Sequence, residues 1–399
     1  MSTTRPTVTL KKKEDRRLRS GHLWAFSNEI YSITGLPQAG DLVELRDAGG
    51  KLVGTGMYNP NSLIAVRLVT YGDEPFEYED LDVRFFEERI GAALAMRKKI
   101  LPDAESFRLV HSEADHLPGL TIDKYNDFVS IQALSFGMDK RLAIICDALE
   151  KLLPLKGVVE RNDAHLRSYE GLPERKGILR GLAEPVIITE HDIRYSVDLL
   201  EGQKTGFFLD QRLNRLAVRN YCKGARVLDC FCNEGGFAFN AACAGASQVT
   251  AVEISAATLS RARHNQTLNS FDAPIEFVEA DAFTFLSEAA AAGKQYDVVI
   301  LDPPSFSKSR KAVSAALQGY RAINRNALRL LPKGGILVTA SCSQHVYEEV
   351  FLEMIDKTAR QLNRSVTLLE WRGASPDHPV LPAMPETKYL KFGIFYVNA

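Results

Sequence analysis

The chain has 399 residues, 45% of them hydrophobic and 25% charged, and a formal net charge of −1 at pH 7; this is a globular composition, too long for one ordinary domain. No apolar run approaches the ~18 residues that a membrane helix needs and the N-terminus carries no apolar signal core, so a cytoplasmic protein is expected. The near-neutral balance excludes a chain that is basic overall, so a nucleic-acid partner must be met by cations gathered on one face. Six cysteines without a C-x-x-C pair suggest neither a disulfide framework nor a zinc site.

In chain order, Lys11, Lys12, Lys13, Arg16, Arg17 and Arg19 precede His22 and Trp24. Basic residues interleaved with an aromatic suit a nucleic-acid backbone and a stacked base. A short helix is predicted over 24–30, then strands at 42–45, 52–58 and 64–69 around the Gly49-Gly50 turn. This order of elements is similar to a PUA domain, a compact RNA-binding β-barrel, over 1–73. A central α+β segment, 74–183, follows. Its predicted helix 82–101 aligns Phe85, Phe86, Ile90, Ala93 and Leu94 on one face. Strands are predicted at 107–110, 120–123, 128–133 and 157–160 and a helix at 139–153, with 169–181, rich in Glu, Arg, Lys and Gly, as an exposed linker. His111, Glu113, Asp115 and His116 have poor metal-ligand spacing and read as a turn, so no metal is expected.

The third part, 184–399, opens with a hairpin, 187–190 and 193–199. The turn Gly202-Gln203-Lys204-Thr205-Gly206 leads into Phe207-Phe208-Leu209-Asp210-Gln211-Arg212 and a helix to 218. Next, Arg226-Val227-Leu228-Asp229-Cys230-Phe231-Cys232-Asn233-Glu234-Gly235-Gly236 reads as a buried parallel strand, a tight turn and a helix start. Gly235 and Gly236 let the backbone approach a ligand, and the helix start offers free amides. The early glycines of a G-x-G-x-x-G are missing, which argues against a dinucleotide. Strands at 248–252, 275–278 and 296–301 run to Glu253, Asp281 and Asp302, so each is followed by an acidic residue on the rim where open α/β sheets bind ligands. A fifth strand, 336–340, delivers Ser341-Cys342-Ser343, and strands at 366–369 and 389–397 complete a seven-stranded sheet.

This half resembles the class I S-adenosylmethionine-dependent methyltransferases, a Rossmann-like α/β fold. The resemblance implies S-adenosylmethionine as cofactor, with Glu253 on the ribose hydroxyls, Asp281 on the adenine amino group, Ala282 or Phe283 against the ring and Asp229 facing the methionine part. Phe231, Gly235 and Asp302 complete the pocket, and Gln203, Thr205 and Phe207 are expected in a flap over it.

Asp302 and Cys342 meet at the mouth of such a sheet. Carbon 5 of a pyrimidine is a poor nucleophile until something adds to carbon 6; a cysteine thiolate can add there, and Asp302 can stabilise N3. Pro303 and Pro304 fix the wall beside the base, and Phe306 is expected to stack on it. With Gly202 to Arg212, Leu301-Asp302-Pro303-Pro304-Ser305-Phe306, Ser341-Cys342-Ser343 and the tail from His378-Pro379 to Lys391, the whole chain is similar to the PUA-containing ribosomal RNA large subunit methyltransferase I family. The family implies 5-methylcytosine formation in 23S ribosomal RNA, Cys342 as nucleophile and often a homodimer. Cytosine methyltransferases of the two-cysteine kind carry a second cysteine where this chain has Pro304 and Ser305, so a one-cysteine mechanism is required. The Asp-Pro-Pro-aromatic element also resembles amino-group methyltransferases, although Ser305 displaces the aromatic by one place. That leaves guanine or adenine amino methylation as an alternative, and a non-catalytic RNA-binding assembly factor as another.

Overall fold

The computed structural model describes residues 5–72, 76–78, 80–202, 205–307 and 310–398. Two compact units arise, each from several chain segments: 1–188 with 197–209 and 376–387, and 189–196 with 210–375 and 388–399.

The first unit contains two sheets. A six-stranded sheet holds Thr7–Leu10, Trp24–Phe26, Ile30–Thr34, Leu42–Arg46, Leu52–Tyr58 and Ile64–Leu68. The helix predicted over 24–30 is one 3-10 turn, Ser27–Glu29, because Trp24 and Ala25 pair with Arg67 and Val66 as strand residues. A sheet of five strands, Ser106–His111, Leu120–Tyr125, Phe128–Ala133, Gly157–Asn162 and Arg175–Gly181, packs against helices Val83–Ile100 and Leu142–Leu152. The expected linker at 169–181 therefore contributes a strand: Arg175–Gly181 lies on the sheet edge, antiparallel to Gly157–Asn162. Its charges turn to solvent or to Glu160 and Asp139, which hid the strand pattern. Arg97, fully buried, bonds Asp115 at 2.5 and 2.7 Å and the Asp377 carbonyl at 2.9 Å, drawing the segment 376–387 into this unit.

The second unit is a seven-stranded sheet of β1 (Arg226–Cys230), β2 (Gln248–Glu253), β3 (Ile275–Glu279), β4 (Val298–Leu301), β5 (Ile336–Ser341), β6 (Val366–Arg372) and β7 (Lys391–Val397), in the order β3-β2-β1-β4-β5-β7-β6. β1 to β5 are parallel and β7 is antiparallel to both neighbours. The helices are α1 (Gly236–Cys243), α2 (Ala256–Thr267), α3 (Ala282–Ala291), α4 (Val313–Leu330) and α5 (Glu348–Arg360). Strand alternation divides the core. Leu228, Cys230, Val299, Leu301 and Leu337 pack with side chains of α3, α4 and α5, whereas Val227, Val298, Ile300, Val338 and Ala340 pack with α1, α2 and the preceding helix Arg212–Val218.

That preceding helix is clamped by a buried ion pair. Arg215 donates to both oxygens of Glu190 at 2.7 and 2.6 Å, and both side chains are almost fully buried. Burial pushes the Glu190 carboxyl up, but Arg215, helped by Arg212, more than offsets this and the net shift is downward. A carboxylate held low stabilises the fold above its unfolded pKa, and that stability is lost as pH falls through the folded value. Arg215→Met should cost about 3–5 kcal/mol at pH 7 by leaving a buried charge alone. Thermal unfolding should show the gap to the wild type narrowing as pH falls from the ordinary glutamate value of about 4.3 through the lowered folded value, below which Glu190 is protonated in both.

Candidate active site

Parallel register builds the site. Cys230 lies opposite Val252 on one side and Leu301 on the other, so the next residue of each chain, Phe231, Glu253 and Asp302, falls on one row at the C-terminal edge of the sheet. One residue back on β1 is Asp229, which is fully buried. Its carboxyl leans on the Ala238 amide, and neither oxygen has a well-formed hydrogen bond. Burial raises this carboxyl well above the usual range, and the like charges of Asp302 and Glu253 raise it further.

The turn after β1 is held in a strained shape. Phe231 and Asn233 have φ of 64° and 51°, in the left-handed region that an aromatic side chain rarely enters. Gly235, at φ 91°, starts α1, and a Cβ there would lie 2.5 Å from the Phe239 ring. Glu253 secures the turn, its Oε2 accepting from the Asn233 amide at 3.2 Å and its Oε1 from the Ser255 amide at 3.1 Å. Asp281 is the N-cap of α3: its Oδ2 accepts from the Thr284 amide at 2.9 Å and hydroxyl at 3.0 Å. Ala282 is buried behind it, and the Phe283 ring sits edge-on to Phe231 at 6.4 Å.

After β4, Asp302 accepts from Gln211 Nε2 at 2.9 Å; the Gln211 carbonyl oxygen in turn takes Asn214 Nδ2 at 2.7 Å. Pro303 is buried and Pro304 exposed. Phe306 is half-buried, its ring 4.6 Å from Tyr320 and 5.7 Å from Phe283. Ser343 joins this loop to the end of β5, its Oγ meeting Ser305 Oγ at 3.1 Å, the Ser307 amide at 3.2 Å and the Tyr320 hydroxyl at 2.9 Å. Cys342 is thereby set against the loop, with Sγ 4.0 Å from the Pro303 carbonyl, and remains partly exposed. Burial is the largest influence on the other five thiols and pushes each up: Cys146 to about 11, Cys222 to about 12, Cys230 and Cys232 well above the usual range, and Cys243 more modestly.

Two expected cofactor contacts, Thr205 and Phe207, belong to the first unit and are bonded there: the Thr205 hydroxyl donates to Asp123, and the Phe207 amide to the Tyr125 hydroxyl at 2.9 Å. Gln203 lies outside the described residues. Sequence reasoning singled out neither Gln211 nor Ser343 as a site residue, since their roles come from contacts made across the fold. Among the described residues no group of three or more His, Cys, Asp or Glu is placed to hold a metal ion.

The sequence profile of S-adenosylmethionine-dependent methyltransferases matches residues 180–392, and that of a PUA-like domain matches 8–71. The ribosomal RNA large subunit methyltransferase I of Tolumonas auensis is 39% identical over 391 residues, covering 96% of this chain and 98% of that one. The protein of the same name from Photobacterium profundum is 39% identical over 398 residues, 98% and 99% of the two chains. The chain belongs to this family. Its fold is shared by a methyltransferase crystallised with SAH (TM-score 0.83, 22% identity, 98% and 99% coverage) and by a SAM-dependent methyltransferase from Streptococcus mutans (TM-score 0.82, 23% identity, with the same coverage).

The residues of this methyltransferase fit S-adenosylmethionine. A buried carboxyl with no good partner, Asp229, suits the cofactor's ammonium group, and Glu253 keeps lone pairs for ribose hydroxyls. A cation paired with Asp229 would hold it ionised, so binding there should release a proton and affinity should rise with pH between the bound and free pKa values. Without cofactor the raised carboxyl destabilises the fold as pH climbs above its unfolded value. Asp229→Asn should therefore raise the thermal midpoint of the free protein at pH 7 while abolishing the upward shift that S-adenosylmethionine gives the wild type.

Proposed function

We propose that this methyltransferase modifies carbon 5 of a cytosine in 23S ribosomal RNA, in the cytoplasm, through a transient bond between Cys342 and the base. The relatives' names supply the ribosomal RNA substrate, and the observation that carries the chemistry is the partly exposed Cys342 thiol, fixed by Ser343 against the loop that begins at Asp302. The five other thiols are all disfavoured as thiolates.

In this reading Cys342 Sγ adds to carbon 6, forming the S–C6 bond and moving the C5=C6 pair toward carbon 5. Asp302, aligned by Gln211, holds the N3 and amino edge as charge develops there. The bound cofactor supplies the sulfonium methyl that carbon 5 attacks. The carbon-5 proton then leaves to a base, C5=C6 re-forms and the S–C6 pair returns to sulfur. Asp229 and Glu253 orient the cofactor, and the Pro303–Pro304 turn bounds the base. Residues 1–73 would bind RNA, 74–183 connect and 184–399 carry the transfer, in a homodimer.

In the first unit, Lys12, Lys13 and Arg16 are exposed, whereas Arg17 is bonded to Glu29 and Arg19 to Asp15 and Asp47. The Trp24 indole is also engaged, its Nε1 donating to Glu113 at 2.8 Å with Arg67 over the ring. RNA contact is accordingly assigned to Lys12, Lys13 and Arg16 rather than to Trp24 stacking. Replacing all three with Ala should weaken RNA binding and reduce the slope of log affinity against log salt by up to about three.

Cys342→Ala should lose methyl transfer by a factor of at least about 10³ while binding S-adenosylmethionine as the wild type does; full activity in that variant would remove the covalent step. Mass spectrometry of nucleosides from treated RNA should find 5-methylcytosine. An N-methylated guanine or adenine would instead support the reading favoured by the Asp302-Pro303-Pro304 turn.

A further inference from the structure

Lys391 opens β7 directly opposite Ser341, the last residue of β5, and its side chain is almost completely buried. Its amine donates to the Ser343 carbonyl at 2.7 Å and the Tyr389 carbonyl at 2.6 Å. These contacts bracket Cys342: the strand partner precedes it and the carbonyl acceptor follows it. The acidic side chain that acts on this amine, Glu348, is itself bonded to Lys388 at 2.7 Å. A buried ammonium is costly unless an opposite charge answers it, and two carbonyl dipoles supply only part of that. The Cys342 sulfur, lying between these contacts in the chain, acts on this amine in the direction of an opposite charge.

We propose that Lys391 activates Cys342, its amine taking the Sγ–H proton so that a thiolate stands beside an ammonium. This inference rests on the reading of Cys342 as the nucleophile. The step balances without a further reactant: the S–H bond breaks, an N–H bond forms on Nζ, and a neutral pair becomes an ion pair with no change in total charge. The sulfur lone pair so released is the one that forms the S–C6 bond. When that bond breaks the pair returns to sulfur as a thiolate, which the same ammonium stabilises.

Other groups acting on Lys391 are consistent with this exchange. Burial lowers its amine to about 8, while the Cys342 sulfur and Glu348 pull it back up and Lys388 pushes it down. Burial thus brings the amine down into the range in which an ordinary thiol titrates, near 8.5. A fixed cation next to a cysteine is also a general means of raising its thiolate fraction at neutral pH. Lys391 acts through Cys342 and needs no contact with the RNA.

The test is the pH dependence of Cys342 alkylation by iodoacetamide in the full-length protein, read by mass spectrometry on the Cys342 peptide so that Cys243 does not contribute. The wild type should reach half its maximal rate at least one pH unit below an ordinary thiol. Lys391→Gln, which keeps a donor for the two carbonyls, should move that midpoint up by about one unit and slow alkylation at pH 7 about tenfold. Lys391→Arg should keep the midpoint low, because it preserves the charge. In methyl-transfer assays Lys391→Gln should lower kcat and leave the KM for S-adenosylmethionine within about twofold. A wild-type midpoint at or above about 8.5, or one that Lys391→Gln does not move, overturns the proposal; the wild-type measurement decides even if the variants fail to fold. Cys342→Ala that retained transfer, with a low wild-type midpoint, would sink the nucleophile reading and leave the thiol–amine pairing standing.

Discussion

Strand register is the constraint on which the candidate site depends. Parallel pairing sets Cys230, Val252 and Leu301 abreast, so three chains leave the sheet together and Phe231, Glu253 and Asp302 stand side by side. A slip of one residue in any pair would turn Asp229 into the opposite core and exchange it for Leu228 or Cys230. The two apolar clusters on either face of the sheet make such a slip prohibitive, because the central strands β1, β4 and β5 bury both of their faces. Precision at the site is thus a by-product of core packing.

The same packing leaves charge in poor surroundings. Asp229 is buried among like charges with no good partner, and Lys391 is buried with its amine on the Ser343 and Tyr389 carbonyls. Each group is disfavoured in its charged form by burial, in opposite directions: the carboxyl upward, the amine downward. Asp229 lies one residue from the end of β1 and Lys391 is the first residue of β7, places where a cation at the one and an anion at the other would relieve the cost of burial. The strained Phe231 turn is a third local cost. Taken together these costs mark the C-terminal edge of the sheet as the place where stability yields to chemistry.

Hydrogen bonds rather than apolar contacts then fix the loops that carry Asp302 and Cys342. Ser343 sits at the centre, joined to Ser305, Ser307 and Tyr320, while its carbonyl accepts from Lys391. Gln211 plays the matching part for Asp302, backed by Asn214, which also reaches the Gly373 carbonyl at 3.0 Å. Short polar side chains suit this task because they have few rotatable bonds, so little freedom is lost when they lock neighbouring loops together. The aromatic series Phe231, Phe283, Phe306 and Tyr320 closes the same region from the side of α3 and α4.

Much of this was readable from the chain alone, since the signals were local. Unbroken apolar runs mark buried parallel strands, and a polar residue directly after such a run lies at the sheet rim, so Glu253, Asp302 and Cys342 could be named from spacing, whereas Asp229, expected at the strand end, lies one residue inside β1 and is fully buried. Local signals failed where a long-range partner decided the outcome. Trp24 and Ala25 became strand through pairing with 66 and 67, and charged Arg175–Gly181 became an edge strand because 157–162 offered an open ladder. Asp281 stands after its strand as expected, yet only the fold shows it capping α3. Gln211, Ser343 and Lys391 fall inside motifs that the sequence singles out, yet nothing in those motifs gives them a role, because each acts through a bond to a residue 36 to 91 positions away. Sequence by itself determined which residues reach the edge of the sheet; tertiary structure decided which of them touch, because hydrogen bonding and desolvation depend on neighbours that only folding brings together.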